Sequence, residues 1–233
     1  MPALYLIPVT LGETPCNQVF PEYNKEVIAK TTYFIVENVR TARRFLKNVL
    51  PEINIDALTF FTLNKHTEPE EIASFLQPLV NGNDMGIISE AGCPAIADPG
   101  ADVVAIAQSK NMEVVPLVGP SSILLALMGS GFNGQQFAFN GYLPIDSNDR
   151  AKSLKTLEQK VFSQNQTQLF METPFRNNKM LQDIIHYCQP GTKLCIAADI
   201  TCPTAFIKTK TIGDWKKKLP DLNKRPCIFI LGK

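Results

Sequence analysis

Ser89-Glu-Ala-Gly-Cys-Pro-Ala-Ile-Ala-Asp-Pro-Gly100 is the stretch that decides how this chain reads. It follows a short apolar run at 85–88 and precedes a helix-like run at 101–110. Gly92, Pro94, Pro99 and Gly100 make it a stiff loop whose backbone approaches a ligand closely. In open α/β sheets, pockets lie just beyond the carboxyl ends of strands, which is where this loop belongs. A second stiff loop, Val118-Gly-Pro-Ser-Ser122, follows the next strand-like run. Together the two loops point to a small-molecule cofactor site in an α/β enzyme.

Outward from these loops, strand-like runs occupy 3–9, 32–36, 59–63, 86–89 and 113–117. Helical periodicity fills 38–49, which stops at Pro51, and 68–80, entered by Pro69 near its first turn. Such alternation implies a mostly parallel sheet with right-handed crossovers. A second series follows, with strands expected at 136–140, 168–172, 194–198, 205–208 and 227–231, and helices at 123–128, 148–162 and 177–188. The fold class is therefore α/β in two domains, 1–117 and 118–233, each with a mixed, mostly parallel sheet flanked by helices.

Composition narrows the function classes. At 233 residues, roughly 70–75% of the unfolded surface can be buried, so neither a disulfide nor a metal staple is required. The 23 Lys and Arg against 22 Asp and Glu argue against holding nucleic acid by overall charge, while leaving room for a local basic patch. The six cysteines form no CxxC pair, and Cys195 and Cys227 stand in strand-like runs, so buried reduced thiols are expected. No apolar run approaches the ~20 residues of a membrane span, and Met1-Pro-Ala-Leu-Tyr-Leu-Ile lacks a basic leader. A cytoplasmic protein without a metal is expected.

A series of motifs, Leu4-Tyr-Leu-Ile-Pro8, Glu37-Asn-Val-Arg40, the loop from Ser89 to Gly100, Pro116-Leu-Val-Gly-Pro-Ser-Ser122, Phe137-Ala-Phe-Asn-Gly-Tyr-Leu-Pro144 and Met171-Glu-Thr-Pro-Phe-Arg176, resembles the tetrapyrrole methylase superfamily over nearly the whole chain. Within it, the chain is most similar to the ribosomal RNA small-subunit methyltransferase I group, which methylates a cytidine ribose 2′-hydroxyl. The resemblance implies two α/β domains, S-adenosylmethionine in the cleft between them, and a homodimer acting on RNA or a ribosomal subunit. A tetrapyrrole or other small-molecule methyltransferase is the alternative, as is a degenerate paralogue that binds donor or RNA with little catalysis. Three motifs depart from that branch. Its Glu-Asp-Thr-Arg is Glu37-Asn-Val-Arg40 here, its Thr-Pro-Ile-Gly-Asn loop is altered at Pro8-Val-Thr-Leu-Gly-Glu13, and its Ala-Arg-Glu-Leu-Thr-Lys is Ala197-Ala-Asp-Ile-Thr-Cys202. The branch's C-terminal extension finds no counterpart after the last expected strand.

The resemblance assigns Gly92, Cys93, Pro94, Asp98, Ser121, Met171, Ala198 and Pro226 to the donor. Each also has a plain structural reading. Asp98 can cap a helix beginning at Pro99, Ser121 or Ser122 can cap the next one, and Met171 can be core. Glu37 with Arg40, and Glu172 with Arg176, either hold an acceptor or pair with each other. Arg40, Arg43, Arg44 and Lys47 cluster on one helix as a phosphate track or a solvated face. His66, Lys65 and Glu172 are the candidates for acid–base work, and His186 reads as structural.

Overall fold

The computed structural model describes residues 2–63 and 67–233. Its contacts divide the chain into two units, Met1–Ser121 and Ser122–Lys233.

The first unit holds β1 (Ala3–Ile7), α1 (Cys16–Val19), α2 (Glu22–Lys30), β2 (Tyr33–Val36), α3 (Val39–Val49), β3 (Thr59–Thr62), α4 (Pro69–Phe75), α5 (Gln77–Val80), β4 (Met85–Ile88), α6 (Gly100–Ser109) and β5 (Glu113–Pro116). Its strands run in the order β3-β2-β4-β1-β5, every neighbouring pair parallel. Because side chains alternate faces along a strand, each buried strand feeds two cores. Ile7, Phe34, Val36 and Ile88 pack with Val27, Ile28, Phe45 and Leu46 from α2 and α3. Leu4, Leu6, Ile35 and Ile87 pack with Ile72, Leu79 and Val103 from α4, α5 and α6, and with Leu76 between α4 and α5. The near-continuous apolar strands of the sequence are the signature of this two-sided burial. β1 and β4 lie side by side, yet their crossovers leave toward opposite ends of the sheet. Their carboxyl ends therefore mark a topological switch point.

The second unit holds α7 (Ser122–Ser130), β6 (Phe137–Tyr142), α8 (Ser147–Ser163), β7 (Thr167–Met171), α9 (Asn177–Tyr187), β8 (Lys193–Ala198), β9 (Phe206–Thr211), α10 (Ile212–Lys217) and β10 (Cys227–Gly232). Its sheet, β6-β7-β10-β8-β9, is mixed, but only β6 and β7 are parallel. The expectation of a mostly parallel second sheet is corrected here. The chain between β8 and β9 is too short for a crossover helix, so the two strands pair antiparallel, and β10 enters antiparallel between β7 and β8. Phe170, Ile196, Phe229 and Leu231 turn toward α8, α9 and α10 to form one core, with Trp215 buried against Leu194, whose carbonyl accepts from its indole N–H at 2.9 Å.

Candidate functional site

Three loops of the first unit are laced together at the carboxyl edge of its parallel sheet. The chain leaving β1 bridges to the loop after β4: Val9 N donates to Gly92 O at 2.8 Å, and Gly92 N to Val9 O at 3.1 Å. The loop after β5 closes on both. A Cβ at Gly119 would stand 2.2 Å from Pro8 Cγ, so only glycine permits that approach. Gly92 has φ +71°, and a Cβ there would meet Leu11 Cδ2 at 3.1 Å and Pro120 O at 3.4 Å. The Cys93 thiol also points to Pro120 O, at 3.5 Å, and Asn24 Nδ2 donates to Val118 O at 2.8 Å. Gly92 thus spends its own N–H and C=O on Val9. It thereby brings the loops together.

Beyond Pro94 the loop is strained. Ala95 and Ala97 sit at φ +65° and +61°, where a non-glycine residue costs about 1–2 kcal/mol. Asp98 holds this conformation, one carboxylate oxygen accepting from Ala95 N at 2.9 Å and Gly100 N at 2.8 Å. α6 begins at Gly100 with Pro99 as its N-cap, so Asp98 stands one position before the cap and not at it, as a helix starting at Pro99 would have required. It closes the loop as well as tying the first helical N–H. Burial pushes its carboxyl above the ordinary 3.8, opposed by those two hydrogen bonds.

Glu37 ends β2 on the same edge. Its carboxylate accepts from Glu90 N at 3.3 Å, and Glu90 in turn accepts from the Thr41 hydroxyl at 2.6 Å. Burial first, then the neighbouring charges of Asp98 and Glu90, raise Glu37 above its ordinary 4.5, against the Glu90 N–H. Among the described residues, Glu37 is tied to the loop after β4, and Arg40 points out from α3 into solvent. Lys65 and His66 lie outside the described residues.

One edge of the second sheet gathers the other candidates. Strand register sets Met171 opposite Ile228 and Ala198 opposite Cys227, and Asp199 N donates to Pro226 O at 2.9 Å. The ends of β7 and β8 and the start of β10 therefore meet. Met171 is half-buried, Ala198 buried and Pro226 exposed. Glu172 is buried, and its Oε1 accepts from Arg176 Nη2 at 2.6 Å, Arg176 Nε at 3.0 Å and Thr173 N at 2.6 Å. Three N–H groups converge on that oxygen, so Glu172 anchors Arg176. Ser121 directly precedes α7.

Sequence reading missed the residues that brace this edge. Arg225 Nε donates to Asp199 Oδ2 at 2.7 Å, and its Nη2 to Thr204 O at 2.8 Å. Asn177 is fully buried and donates to Arg225 O at 2.6 Å; among the described residues its Oδ1 has no partner. Asp199 and Thr201 adopt φ +50° and +72°, so this turn too is held under strain. The only signal in the sequence was that Asp199 stands in a motif that departs from the ribosomal branch.

No protein-family model matches the chain. It is 30% identical over 200 residues to the ribosomal RNA small subunit methyltransferase I of Vibrio cholerae, covering 86% of this chain and 65% of that protein. The protein of the same name from Escherichia coli O157:H7 is 27% identical over 98% of this chain and 76% of its own length. Uroporphyrin-III C-methyltransferase of Thermus thermophilus shares the fold at a TM-score of 0.60, 14% identity, 99% of this chain and 97% of that one. The chain is thus similar in sequence to ribosomal RNA methyltransferases and in fold to a tetrapyrrole methyltransferase. The likeness to the tetrapyrrole enzyme, at 14% identity, is one of fold alone. The chain spans just under two thirds of the Vibrio cholerae relative. Among the described residues, no group of three or more His, Cys, Asp or Glu gathers as a metal site, and no helix is long and apolar enough to cross a membrane.

Proposed function

We propose that this protein is an S-adenosylmethionine-dependent methyltransferase that methylates a ribose 2′-hydroxyl of ribosomal RNA. The observation that carries it is the set of laced, strained loops at the switch point of the parallel sheet, in a chain 30% identical to a ribosomal RNA methyltransferase. We assign Gly92, Cys93, Pro94, Asp98, Ser121, Met171, Ala198 and Pro226 to the donor, in a chain of two domains, 1–117 and 118–233.

The residues present fit a cationic donor. From Ser89 to Gly100 there is no Lys or Arg, while Glu37, Glu90 and Asp98 share that edge. Carboxylates attract the donor's sulfonium and ammonium charges. When bound, the donor supplies a methyl group on a sulfonium that leaves as a neutral thioether. The chain's task is to align the ribose oxygen behind that methyl carbon and exclude water, a positioning effect worth at most about 7–11 kcal/mol. As the O–C bond forms and the C–S bond breaks, the hydroxyl proton leaves to a base. Arg176, fixed by Glu172, and Arg40 are the groups we assign to the RNA acceptor. The protein acts as a cytoplasmic homodimer on this reading. Six free cysteines, three of them buried, suit a reducing compartment.

Calorimetric titration with S-adenosylmethionine and S-adenosylhomocysteine, on wild type and Gly92→Arg, tests the reading. Saturable binding to wild type is expected to disappear in a variant that still melts cooperatively by circular dichroism. Incubation with radiolabelled donor should then carry label into small-subunit RNA. Label moving to a uroporphyrinogen instead would favour the tetrapyrrole alternative, and no binding by folded wild type would sink the methyltransferase reading.

A further inference from the structure

We propose that the exposed face of α3 is a phosphate-binding rail that holds the backbone of the RNA beside the methyl-transfer site, an inference that rests on the RNA reading above. Arg40, Arg43, Arg44 and Lys47 follow the spacing i, i+3, i+4, i+7, which brings all four onto one face over about 10 Å of helix. All four are exposed, while Ala42, Phe45, Leu46 and Val49 on the opposite face are buried in the core. The helix is thus held by its apolar side, and its cations are left to solvent.

These charges have little work inside the chain. Arg43 reaches Asp56 at 3.5 Å, an exposed pair, and its guanidinium lies 5.7 Å from the Phe60 ring centre. Lys47 donates to Pro51 O at 2.9 Å. Among the described residues, no carboxylate comes within ion-pair distance of Arg40, Arg44 or Lys47. The nearby acids Glu37 and Glu90 are engaged with the Glu90 N–H and the Thr41 hydroxyl. Arg40 stands in the first turn of α3, where the helix dipole opposes a positive charge, and Asn38 caps that turn through Arg40 N and Thr41 N. A cation there works against the helix, and among the described residues no carboxylate pairs with it. With a net charge of only +1, four clustered cations are a local concentration and not a consequence of a basic chain.

Position gives the face its use. α3 begins two residues after Glu37, whose carboxylate is tied to the Ser89–Gly100 loop. A strand lying along the rail is therefore delivered to the edge where the loops converge. Phosphate pairings of this kind carry no base information; they fix register, and specificity falls to other residues.

The test is fluorescence anisotropy with a labelled single-stranded oligoribonucleotide of mixed sequence over a salt series. Wild type is compared with Arg40→Gln/Arg44→Gln, with the same pair plus Lys47→Gln, and with Lys216→Gln/Lys218→Gln as a control in and beside α10. Every cation that no longer neutralises a phosphate reduces the slope of log K against log salt by about 0.7. The slope should fall by about 1.4 in the double variant and about 2 in the triple. It should stay unchanged in the control, and all variants should retain wild-type melting and donor affinity. Wild type that binds RNA, with the triple variant unchanged in affinity and slope, overturns the rail and leaves the RNA reading standing. Wild type with no salt-dependent RNA binding overturns both, and donor binding measured alongside shows whether the methyltransferase reading survives.

Discussion

Asp98 and Glu37 are placed where a carboxyl is useful and uncomfortable at once. Both are held above their ordinary values of 3.8 and 4.5, chiefly by burial. The folded state therefore binds their protons more tightly than the unfolded chain does. Their stabilising contribution is complete below the ordinary values and is lost as pH rises through the raised ones. Glu37→Gln keeps an acceptor for Glu90 N but cannot ionise. The variant should gain stability relative to wild type as pH rises above 4.5, and the two should converge in more acid solution. Thermal melts across that window check this, and a difference independent of pH would exclude it. The same residues show how far a sequence reaches at this scale. That Asp98 serves a helix start was readable from Asp-Pro-Gly. That it also reaches back to Ala95 was not, because this depends on two left-handed alanines that no composition rule favours.

Individual elements are braced by charges that periodicity does not reveal. Arg150 on α8 and Asp183 on α9 are 8% and 6% exposed at their side chains and joined at 2.6–2.7 Å. Arg150 also donates to the carbonyls of Pro144 and Ile145, and Lys179 reaches Asp183 at 3.0 Å. Asp183→Ala leaves a guanidinium buried without its counterion and should cost about 3–5 kcal/mol in urea unfolding; a change under about 1 kcal/mol, the size typical of an exposed pair, would mean water reaches Arg150 readily. Among the described residues, all ten strands fall where alternating or apolar runs stand in the sequence, within a few residues, because most are buried on both faces. The helices were less legible. α1 and α2 follow Pro15 and Pro21 in a stretch that reads as loop, and α2 buries only Asn24, Val27 and Ile28, too few to show a period. The single helix expected at 68–80 is two, α4 and α5. Pro78, second in α5, has no N–H to continue the first. Of the site, the glycines and prolines were legible since turns demand them, while the Asp199–Arg225 brace joins residues distant in sequence.

At the scale of the whole molecule, α7 and β9 leave apolar surface in water: Met128 is 77%, Leu124 52% and Ile207 37% exposed. Gly129 on α7 packs against Ile207, its Cβ position 3.0 Å away, so α7 and β9 meet beside this apolar surface. On the homodimer reading this surface lies in the subunit contact. Met128→Glu should then shift sedimentation from dimer to monomer without altering the melting of the monomer. Wild type that sediments as a monomer at high concentration would remove the homodimer from the proposal.

The unlike topology of the two sheets also bears on how the chain reaches its native state. Every pairing in the first unit joins strands separated by a complete crossover, so none can form until a long loop has closed. In the second, β8 and β9 are joined by a short turn and can zip locally. The carboxyl-terminal half thus has the faster route to order. The half made first on the ribosome waits longest with its apolar strands unpaired, and it is the one that carries the laced loops.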